Sequence, residues 1–285
     1  MVDSLDGKVA IVTGGGSGIG EAVSRELSRR GARVVVADLD GKEAERVARA
    51  VAEHGGRATT ACRVDVSREE EVTRLIEDTA SVYGRLDYQF NNAGIAIGGD
   101  ARDLTLHQWR QVLDVDLYGV LYGTLAAYPI MAGQGFGHIV NTSSGAGLVP
   151  TPLNAPYCTA KHGVVGLSLS LRLEGADLGV KVSVVCPGWV RTRFFDTAVV
   201  VNLPGELVNR APGRIKMMEA AQAARVILDG VTRNQAVIAF PGYVRRGWRA
   251  SCLFPRVLDR AAPRQIREVR SYRTVIDGHD PDDNH

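Results

Sequence analysis

The sequence has few cysteines and no pattern that would pair them. The four are Cys62, Cys158, Cys186 and Cys252, and none belongs to a C-x-x-C pair or to a His/Cys cluster at metal-ligand spacing. We therefore expect reduced thiols in a reducing compartment, with neither a disulfide framework nor a metal site.

The sequence also lacks a strong charge imbalance and a long apolar run. Lysine and arginine number 34 against 32 aspartates and glutamates, a net charge of +2, which argues against a nucleic-acid or strongly acidic partner. No apolar stretch is long enough to span a bilayer. The chain does not begin with a basic segment followed by an apolar one, so we predict no secretory signal and a cytoplasmic location.

A length of 285 residues is long for one hydrophobic core and short for two. We expect an α/β domain over residues 1–240 and a C-terminal extension over residues 241–285. Apolar strands and amphipathic helices alternate along the first part, which is typical of a doubly wound parallel sheet with helices on both faces. Strands are predicted at residues 9–12, 33–37, 58–64 and 86–90, and helices at residues 21–30, 41–54 and 68–83.

A glycine-rich turn follows the first strand, whose continuous apolar run is typical of a strand buried on both faces. The glycines have the spacing G-x-x-x-G-x-G, and a helical pattern follows them. Glycine allows the backbone to approach a diphosphate, and a helix N-terminus offers free N–H groups. The turn therefore predicts a dinucleotide site that includes Gly14, Ser17, Gly18, Ile19 and Gly20.

The second strand ends at Asp38, eighteen residues beyond Gly20. A carboxylate at this place can accept hydrogen bonds from both hydroxyls of an adenosine ribose, and it repels a 2′-phosphate. Neither Ser17 nor Leu39 supplies the cation that a 2′-phosphate would need. The predicted cofactor is therefore NAD.

Tyr157 and Lys161 are four residues apart in a predicted helix, so they share one face. A nearby cation favours the phenolate and lowers the pKa of tyrosine toward the range in which a general acid or base works best. Ser144, thirteen residues upstream, offers a hydroxyl to a substrate oxygen. Alone, Tyr-x-x-x-Lys is more often a solvated pair, so its significance depends on the other motifs.

Together these motifs resemble the compact, single-domain branch of the short-chain dehydrogenase/reductase family. The resemblance covers residues 7 to about 240. It implies a seven-stranded parallel Rossmann-type sheet and hydride transfer between nicotinamide and a carbonyl or alcohol carbon. The motifs that carry it, in chain order, are Thr13-Gly14-x-x-x-Gly18-x-Gly20, Asp65, Asn91-Asn92-Ala93-Gly94, Ser144, Tyr157-x-x-x-Lys161 and Pro187-Gly188-x-Val190-x-Thr192.

The resemblance also implies roles for individual residues. Tyr157 would be the general acid and base, and Lys161 would lower its pKa and bind the nicotinamide ribose. Ser144, rather than Ser143, would orient the reacting oxygen. Cofactor contacts from the adenine to the nicotinamide carboxamide are implied at Asp65, Val66, Asn92, Ala93, Gly94, Pro187, Gly188, Val190 and Thr192.

One position departs from the family pattern. The family usually has an asparagine where this chain has Asp116, and that asparagine holds a water that links the lysine to solvent. A carboxylate can still accept the hydrogen bond of the water, but it adds a negative charge near Lys161. We therefore include Asp116 in the catalytic set and expect an altered proton relay with activity retained.

The segments expected to wall the substrate cleft are apolar, at residues 95–99, 146–150 and 194–203. They favour a hydrophobic secondary alcohol or ketone, although ordinary packed loops with broad specificity are an alternative. The helix predicted at residues 157–178 is apolar on several sides. The matching helix of the family forms a dimer interface, which implies a homodimer or a homotetramer.

Beyond residue 240 the resemblance stops and the sequence becomes basic. Nine arginines between Arg245 and Arg273 interleave with Trp248, Phe254 and other apolar residues, a pattern typical of a membrane-surface segment. Residues 243–273 are thus candidates for peripheral membrane contact. Packing on the protein itself or on a partner subunit near the substrate mouth is the favoured alternative. The acidic end, residues 277–285, is expected to be disordered.

The leading hypothesis is an NAD-dependent oxidoreductase with a Ser-Tyr-Lys centre that acts on a hydrophobic secondary alcohol or ketone. Two alternatives stay open. One is a catalytically silent dinucleotide sensor or scaffold, which is favoured if Asp116 disables the relay. The other is an NADPH-dependent carbonyl or acyl-thioester reductase, which Asp38 disfavours.

Overall fold

A parallel sheet forms the centre of the computed structural model, which describes residues 5–53, 59–203, 216–254, 266–267 and 269–270. The predicted limits at His54 and Ala58, most of the arginines after residue 254 and the acidic end lie outside the described residues. The strands are β1 Val9–Thr13, β2 Arg33–Asp38, β3 Thr59–Arg63, β4 Tyr88–Asn91, β5 Ile97–Gly99, β6 Gly137–Thr142, β7 Val180–Pro187, β8 Val190–Arg191, β9 Val199–Val201, β10 Met218–Glu219 and β11 Val237–Phe240.

Seven of these strands form the main sheet, in the order β11-β7-β6-β4-β1-β2-β3. Every pair of neighbours in this sheet is parallel. The seven-stranded parallel sheet implied by the family resemblance is therefore confirmed. Two short parallel pairs, β8 with β10 and β5 with β9, lie outside it.

Helices connect the strands and cover both faces of the sheet. They are α1 Gly18–Arg29, α2 Gly41–Glu53, α3 Glu69–Tyr83, α4 Leu106–Leu113, α5 Gly119–Gln134, α6 Ala155–Glu174, α7 Phe194–Thr197, α8 Ala220–Thr232 and α9 Gly242–Leu253. A π-helical turn, Asp114–Tyr118, joins α4 to α5, and a 3-10 turn, Gly145–Gly147, follows β6.

Successive residues of the central strands face opposite layers of the core. In β1, Ala10 and Val12 pack in the layer that contains α1, α2 and α8, whereas Ile11 packs in the layer that contains α3 and α5. In β2, Val34 and Val35 divide in the same way. This period of two, with apolar residues on both sides, explains why the strands appear in the sequence as continuous apolar runs.

Several element limits differ from the sequence prediction for local reasons. Helix α1 begins at Gly18, not at residue 21, because Ser17 has extended backbone angles and serves as the N-cap. Strand β4 begins at Tyr88, not at residue 86, because the Leu86 N–H donates a hydrogen bond to the side chain of Gln134 and not to a neighbouring strand. Helix α6 ends at Glu174, not at residue 178, because the chain turns back there and the Val180 N–H is donated to the Gly175 carbonyl.

The strand order reverses between β1 and β4, whose onward connections leave in opposite directions across the sheet. Ligands of open α/β sheets bind outside the carboxyl ends of the strands at such a point. In the part of the chain that the structure describes, no helix combines the length and apolar character needed to cross a bilayer.

Asp87 stabilises the amino edge of the sheet, where β1 and β4 begin. It is buried, it accepts a hydrogen bond from the Val9 N–H at 2.9 Å, and it pairs with Lys8 and Arg85. Burial raises the pKa of this carboxyl, but Arg85 and the Val9 N–H lower it more, so the net pKa lies below its usual value.

We expect Asp87→Asn to reduce the free energy of unfolding by about 1–3 kcal/mol at neutral pH, as measured by urea denaturation, because charge-assisted hydrogen bonds are lost. A lowered folded pKa stabilises above the ordinary carboxyl pKa of about 4, and this stabilisation fades as the pH falls through the folded value. The difference between the two proteins should therefore shrink below about pH 4. Asp78→Asn, an exposed change on α3, is the control. A loss of unfolding free energy that does not change with pH would contradict a stabilising role for the Asp87 charge.

Candidate active site

A cleft of ≈ 840 Å³ opens at the carboxyl edge of the sheet. It extends from the glycine-rich turn after β1, past the ends of β4 and β6, to the segments that follow β7 and β11. Residues far apart in the sequence therefore share one cavity, which is large enough to receive a ligand of dinucleotide size together with a second small molecule.

The glycine-rich turn forms the floor at one end of this cleft. Gly18 has a φ of +55°, a left-handed conformation that favours glycine, and a side chain there would meet Thr192 at 3.1 Å. Gly20 packs against the Gly14 carbonyl so closely that a Cβ atom would overlap it. The turn is thus a bare backbone cradle at the start of α1, which fits a diphosphate.

Asp38 lies at the rim of the same end. Its Oδ2 accepts a hydrogen bond from the Gly16 N–H at 2.9 Å, and its Oδ1 accepts one from the Asp40 N–H at 3.0 Å. Arg46, a cation close to this rim, donates to the Gly16 carbonyl and is paired with Glu21 and Glu43. The rim therefore presents a fixed carboxylate, and its nearby guanidinium is neutralised.

The structure brings most of the sequence-predicted cofactor residues together. Gly20 packs against the back of the turn and does not line the cleft. Asp116, a member of the predicted catalytic set, does not line it either. The predicted residues that do line the cleft are Gly14, Ser17, Gly18, Ile19, Asp38, Asp65, Val66, Asn92, Ala93, Gly94, Ser144, Tyr157, Lys161, Pro187, Gly188, Val190 and Thr192. Their arrangement fits a nicotinamide dinucleotide.

Tyr157 and Lys161 lie in the first two turns of α6, which begins directly beside the cleft. The Lys161 Nζ lies 5.5 Å from the centre of the Tyr157 ring. Ser144 ends the segment after β6, and its Oγ accepts a hydrogen bond from the Ala146 N–H at 3.1 Å. The three side chains expected to form a catalytic centre therefore converge on one region of the cleft.

Ser143 and Ser144 are adjacent, but only Ser144 is available to a ligand oxygen. Ser143 is buried, and its hydroxyl donates to the backbone carbonyl of Lys161 at 2.8 Å. Ser143 thus holds α6 against the end of β6, whereas Ser144 contacts the Tyr157 hydroxyl. The choice of Ser144 over Ser143 as the catalytic serine stays a prediction.

Asp116 forms a buried ion pair with Lys161, behind the cleft. The carboxylate is 0% exposed, and its Oδ2 lies 3.0 Å from the Lys161 Nζ. Its Oδ1 accepts a hydrogen bond from the Ile95 N–H at 2.7 Å, and Lys161 also donates to the Thr142 carbonyl at 3.2 Å. Asp116 lies in the π-helical turn, an irregularity that is frequent near functional sites. Asp116 is therefore linked to the cleft through its contact with Lys161.

The ion pair changes the electrostatics expected for Tyr157. The sequence analysis expects Lys161 to lower the pKa of the phenol, but in the structure burial raises this pKa, and the Asp116 charge raises it further. The Ser144 hydroxyl lowers it by a smaller amount. Burial is the largest cause of the raised pKa, and the Asp116 carboxylate adds to it because its negative charge disfavours the phenolate.

Aromatic side chains line the substrate half of the cleft. Trp189 and Phe195 stack with ring centres 4.6 Å apart, and the Phe194 ring lies 6.0 Å from that of Tyr157. Ala96, Gly98, Val149, Val199 and Val200 add apolar surface, so the predicted wall segments do line the cavity. Among the described residues, no group of three or more His, Cys, Asp or Glu side chains could hold a metal ion.

Several residues that no sequence motif indicates also line the cleft. Glu43 and Arg193 form an ion pair at 2.9 Å and both line the cofactor end. Tyr243, Val244 and Gly247, from α9, line the substrate end. The only signal for this second group is the i, i+1, i+4 spacing of three residues in a segment that the family motifs do not cover.

This chain is similar to known dehydrogenases. Residues 8–199 match the family model for short chain dehydrogenase. Cyclohexanol dehydrogenase of Acinetobacter sp. (strain SE19) is 36% identical over 208 residues, 71% of this chain and 82% of that protein. Meso-2,3-butanediol dehydrogenase of Serratia marcescens is 34% identical over 222 residues, 78% of this chain and 85% of that protein.

A solved structure has a similar fold. The crystal structure of a short chain dehydrogenase/reductase from Burkholderia phymatum in complex with NAD superposes with a TM-score of 0.79 at 27% sequence identity. The match covers 90% of this chain and 96% of that one. The structural likeness therefore covers more of the chain than residues 8–199.

The buried ion pair leads to a prediction about stability. Asp116→Ala should reduce the free energy of unfolding by about 3–5 kcal/mol, because it leaves the Lys161 ammonium buried without a countercharge. Asp116→Asn should be less harmful, since the amide oxygen can still accept from the Ile95 N–H. Asp114→Ala, an exposed change in the same turn, is the control, and chemical denaturation is the measurement. Equal stability of the Asp116→Ala and Asp114→Ala variants would exclude an important ion pair.

Proposed function

Because the chain belongs to the short-chain dehydrogenase family, we propose that it is an NAD-dependent oxidoreductase that interconverts a hydrophobic secondary alcohol and its ketone. The single observation that supports this proposal is the convergence of Ser144, Tyr157 and Lys161 on the cleft that also contains the glycine-rich turn. Residues 1–240 would form the catalytic domain, and residues 241–285 would be its extension.

The three converging side chains have complementary chemical roles. Tyr157 gives its phenolic proton to the carbonyl oxygen in reduction and accepts the alcohol proton in oxidation. Ser144 donates a hydrogen bond to the same oxygen and orients it, a contribution of about 3–4 kcal/mol in comparable sites. Lys161, held between Asp116 and the Thr142 carbonyl, binds the hydroxyls of the nicotinamide ribose. The nicotinamide supplies or accepts the hydride when the cofactor is bound.

The rim at Asp38 supports NAD over NADP. A carboxylate fixed by the Gly16 and Asp40 N–H groups would accept hydrogen bonds from the ribose hydroxyls and repel a 2′-phosphate. Arg46 is paired with Glu21 and Glu43, so its charge is already offset. The solved structure from Burkholderia phymatum was determined with NAD.

The substrate half of the cleft supports an apolar, ring-containing substrate. Trp189, Phe194 and Phe195 present flat apolar surfaces close to Tyr157. Planar and cyclic ligands pack well on such surfaces. A cyclohexanol dehydrogenase matches 71% of the length of this chain. We infer that a cyclic secondary alcohol is the natural class of substrate.

We also propose that the protein forms a homodimer or a homotetramer through α5 and α6. Leu125 and Leu173 project from these helices with 55% and 79% of their surface exposed. Large exposed leucines on neighbouring helices would be covered by a second copy of the chain. The predicted contact of residues 243–273 with a membrane surface stays a prediction.

The function is tested by following NADH absorbance with a panel of cyclic and linear secondary alcohols. We expect turnover with NAD and much slower turnover with NADP. Tyr157→Phe should reduce turnover by at least about 100-fold, because the proton donor and acceptor is removed. Dissociation constants for NADH should change little in that variant.

Cys158→Ala is the matched control, because it alters the next side chain of the same helix without removing the phenol. Unchanged turnover by Tyr157→Phe would refute the proposed chemistry. Tight NAD binding without turnover of any alcohol or ketone would favour the silent sensor instead.

The Asp116 charge predicts a change in pH dependence. It raises the pKa of Tyr157, so Asp116→Asn should lower that pKa and allow the phenolate to form at lower pH. Because alcohol oxidation needs the phenolate as the base, the acid limb of kcat/KM for this direction should move to lower pH by about 1 unit. Asp114→Asn is the control, and the dissociation constant for NAD should change little. A profile that stays in place or moves to higher pH would contradict the assignment.

A further inference from the structure

We propose that helix α9, at the start of the C-terminal extension, is the outer wall of the chain's own substrate cleft. In this proposal Tyr243 and Gly247 set the width of the cleft, and an ion pair between Arg270 and Asp100 holds the described residues 266–267 and 269–270 against the opposite wall. The inference rests on the proposed function, since it names what limits the size of the substrate.

Helix α9, which begins the extension, lies directly against the cleft. Tyr243, Val244 and Gly247 share one face of this helix and line the substrate end of the cavity. Val244 is 7% exposed and packs in a cluster with Leu148 and Val149, which follow β6. The helix is therefore anchored by apolar packing, and its remaining lining residues face the region that a substrate would occupy.

Tyr243 is fitted to the segment that follows β7. Its hydroxyl accepts a hydrogen bond from the Trp189 N–H at 2.7 Å. The same hydroxyl occupies the space that a side chain at Gly188 would need. Trp189 in turn stacks on Phe195, so the position of α9 determines where this aromatic pair lies.

Arg270, in the last described part of the extension, contacts the opposite wall. The Arg270 Nε donates to the Asp100 Oδ2 at 2.7 Å, across 170 positions of sequence. Asp100 is 2% exposed, and it directly follows β5. It also pairs with Arg102, and first Arg102 and then Arg270 hold the pKa of its carboxyl well below the usual range.

Asp100 belongs to the structure that shapes the cleft. Strand β5 pairs with β9, and Gly98, Val199 and Val200 from these two strands line the substrate end. Arg270 therefore contacts the residue that ends one wall, while α9 forms the other. Because the pair joins a buried carboxylate to a half-exposed guanidinium, its loss should loosen the wall without unfolding the protein.

Gly247 offers a direct test of the width of the cleft. A Cβ at Gly247 would meet no atom within 4 Å, so a larger side chain can extend from it without a clash. Gly242 has the same free space and lies on the same helix, but it does not line the cleft. The two glycines form a matched pair.

The experiment compares kcat/KM for cyclohexanol with kcat/KM for 2-decalol, an alcohol with two fused rings. Gly247→Leu should reduce the ratio of 2-decalol to cyclohexanol activity by at least about tenfold, and Gly242→Leu should leave it unchanged. An equal ratio in both variants would overturn the proposal that α9 limits the substrate. Absence of turnover with either alcohol in the unsubstituted protein would instead refute the proposed function.

The role of the Arg270–Asp100 ion pair has its own test, which does not depend on turnover. Arg270→Ala should speed amide hydrogen exchange at residues 97–100 and 199–201, whereas Arg267→Ala, on the same segment, should not. Arg270→Lys should restore most of the protection. In activity assays, Arg270→Ala should raise the ratio of 2-decalol to cyclohexanol activity severalfold and leave the KM for NAD unchanged.

Two outcomes would overturn the fastening. One is equal exchange in the Arg270→Ala and Arg267→Ala variants. The other is co-sedimentation of the full chain with phosphatidylglycerol vesicles that Arg270→Ala abolishes while exchange at residues 97–100 stays constant. That second result would assign Arg270 to a membrane surface.

Discussion

The buried ion pair between Lys161 and Asp116 is the interaction on which the site depends. Lys161 belongs to α6 and Asp116 to the π-helical turn, and their other hydrogen-bond partners lie in the connection between β4 and β5 and at the end of β6. A pair of charges removed from water is stable only where its geometry and its additional hydrogen bonds are satisfied. The pair therefore fixes the relative position of four separate segments, and Tyr157, one turn away from Lys161, takes its position from them.

The parallel sheet explains why a chain of such varied segments can form one cleft. Every strand of the parallel main sheet ends at the same edge, so the turn after β1, Asp38 at the end of β2 and Ser144 after β6 meet there. The same edge then receives α9, which follows the outermost strand β11. Both halves of the chain contribute to the cofactor end, where Thr192 and Arg193 meet the glycine-rich turn and Glu43.

Much of the fold and of the cofactor end could be predicted from the sequence because both leave local signals. Continuous apolar runs indicate β1 and β2, and a cluster of glycines indicates the turn at residues 14–20. The raised pKa of Tyr157 could not be predicted, because it depends on burial in the fold and on the Asp116 carboxylate, which is 41 positions away in the sequence. The contributions of Glu43, Arg193 and Tyr243 were missed for a similar reason, since an ion pair or a steric fit between distant segments has no local pattern.

The fit between Gly188 and Tyr243 has a consequence for engineering. The Tyr243 phenol fills the space that a side chain at Gly188 would need, so a larger residue at Gly188 requires a change at Tyr243 as well. Transplanting helix α9 onto a different dehydrogenase would succeed only if the recipient kept an empty place opposite the tyrosine. Conversely, this chain could accept a bulkier residue beside Trp189 only after the tyrosine had been shortened.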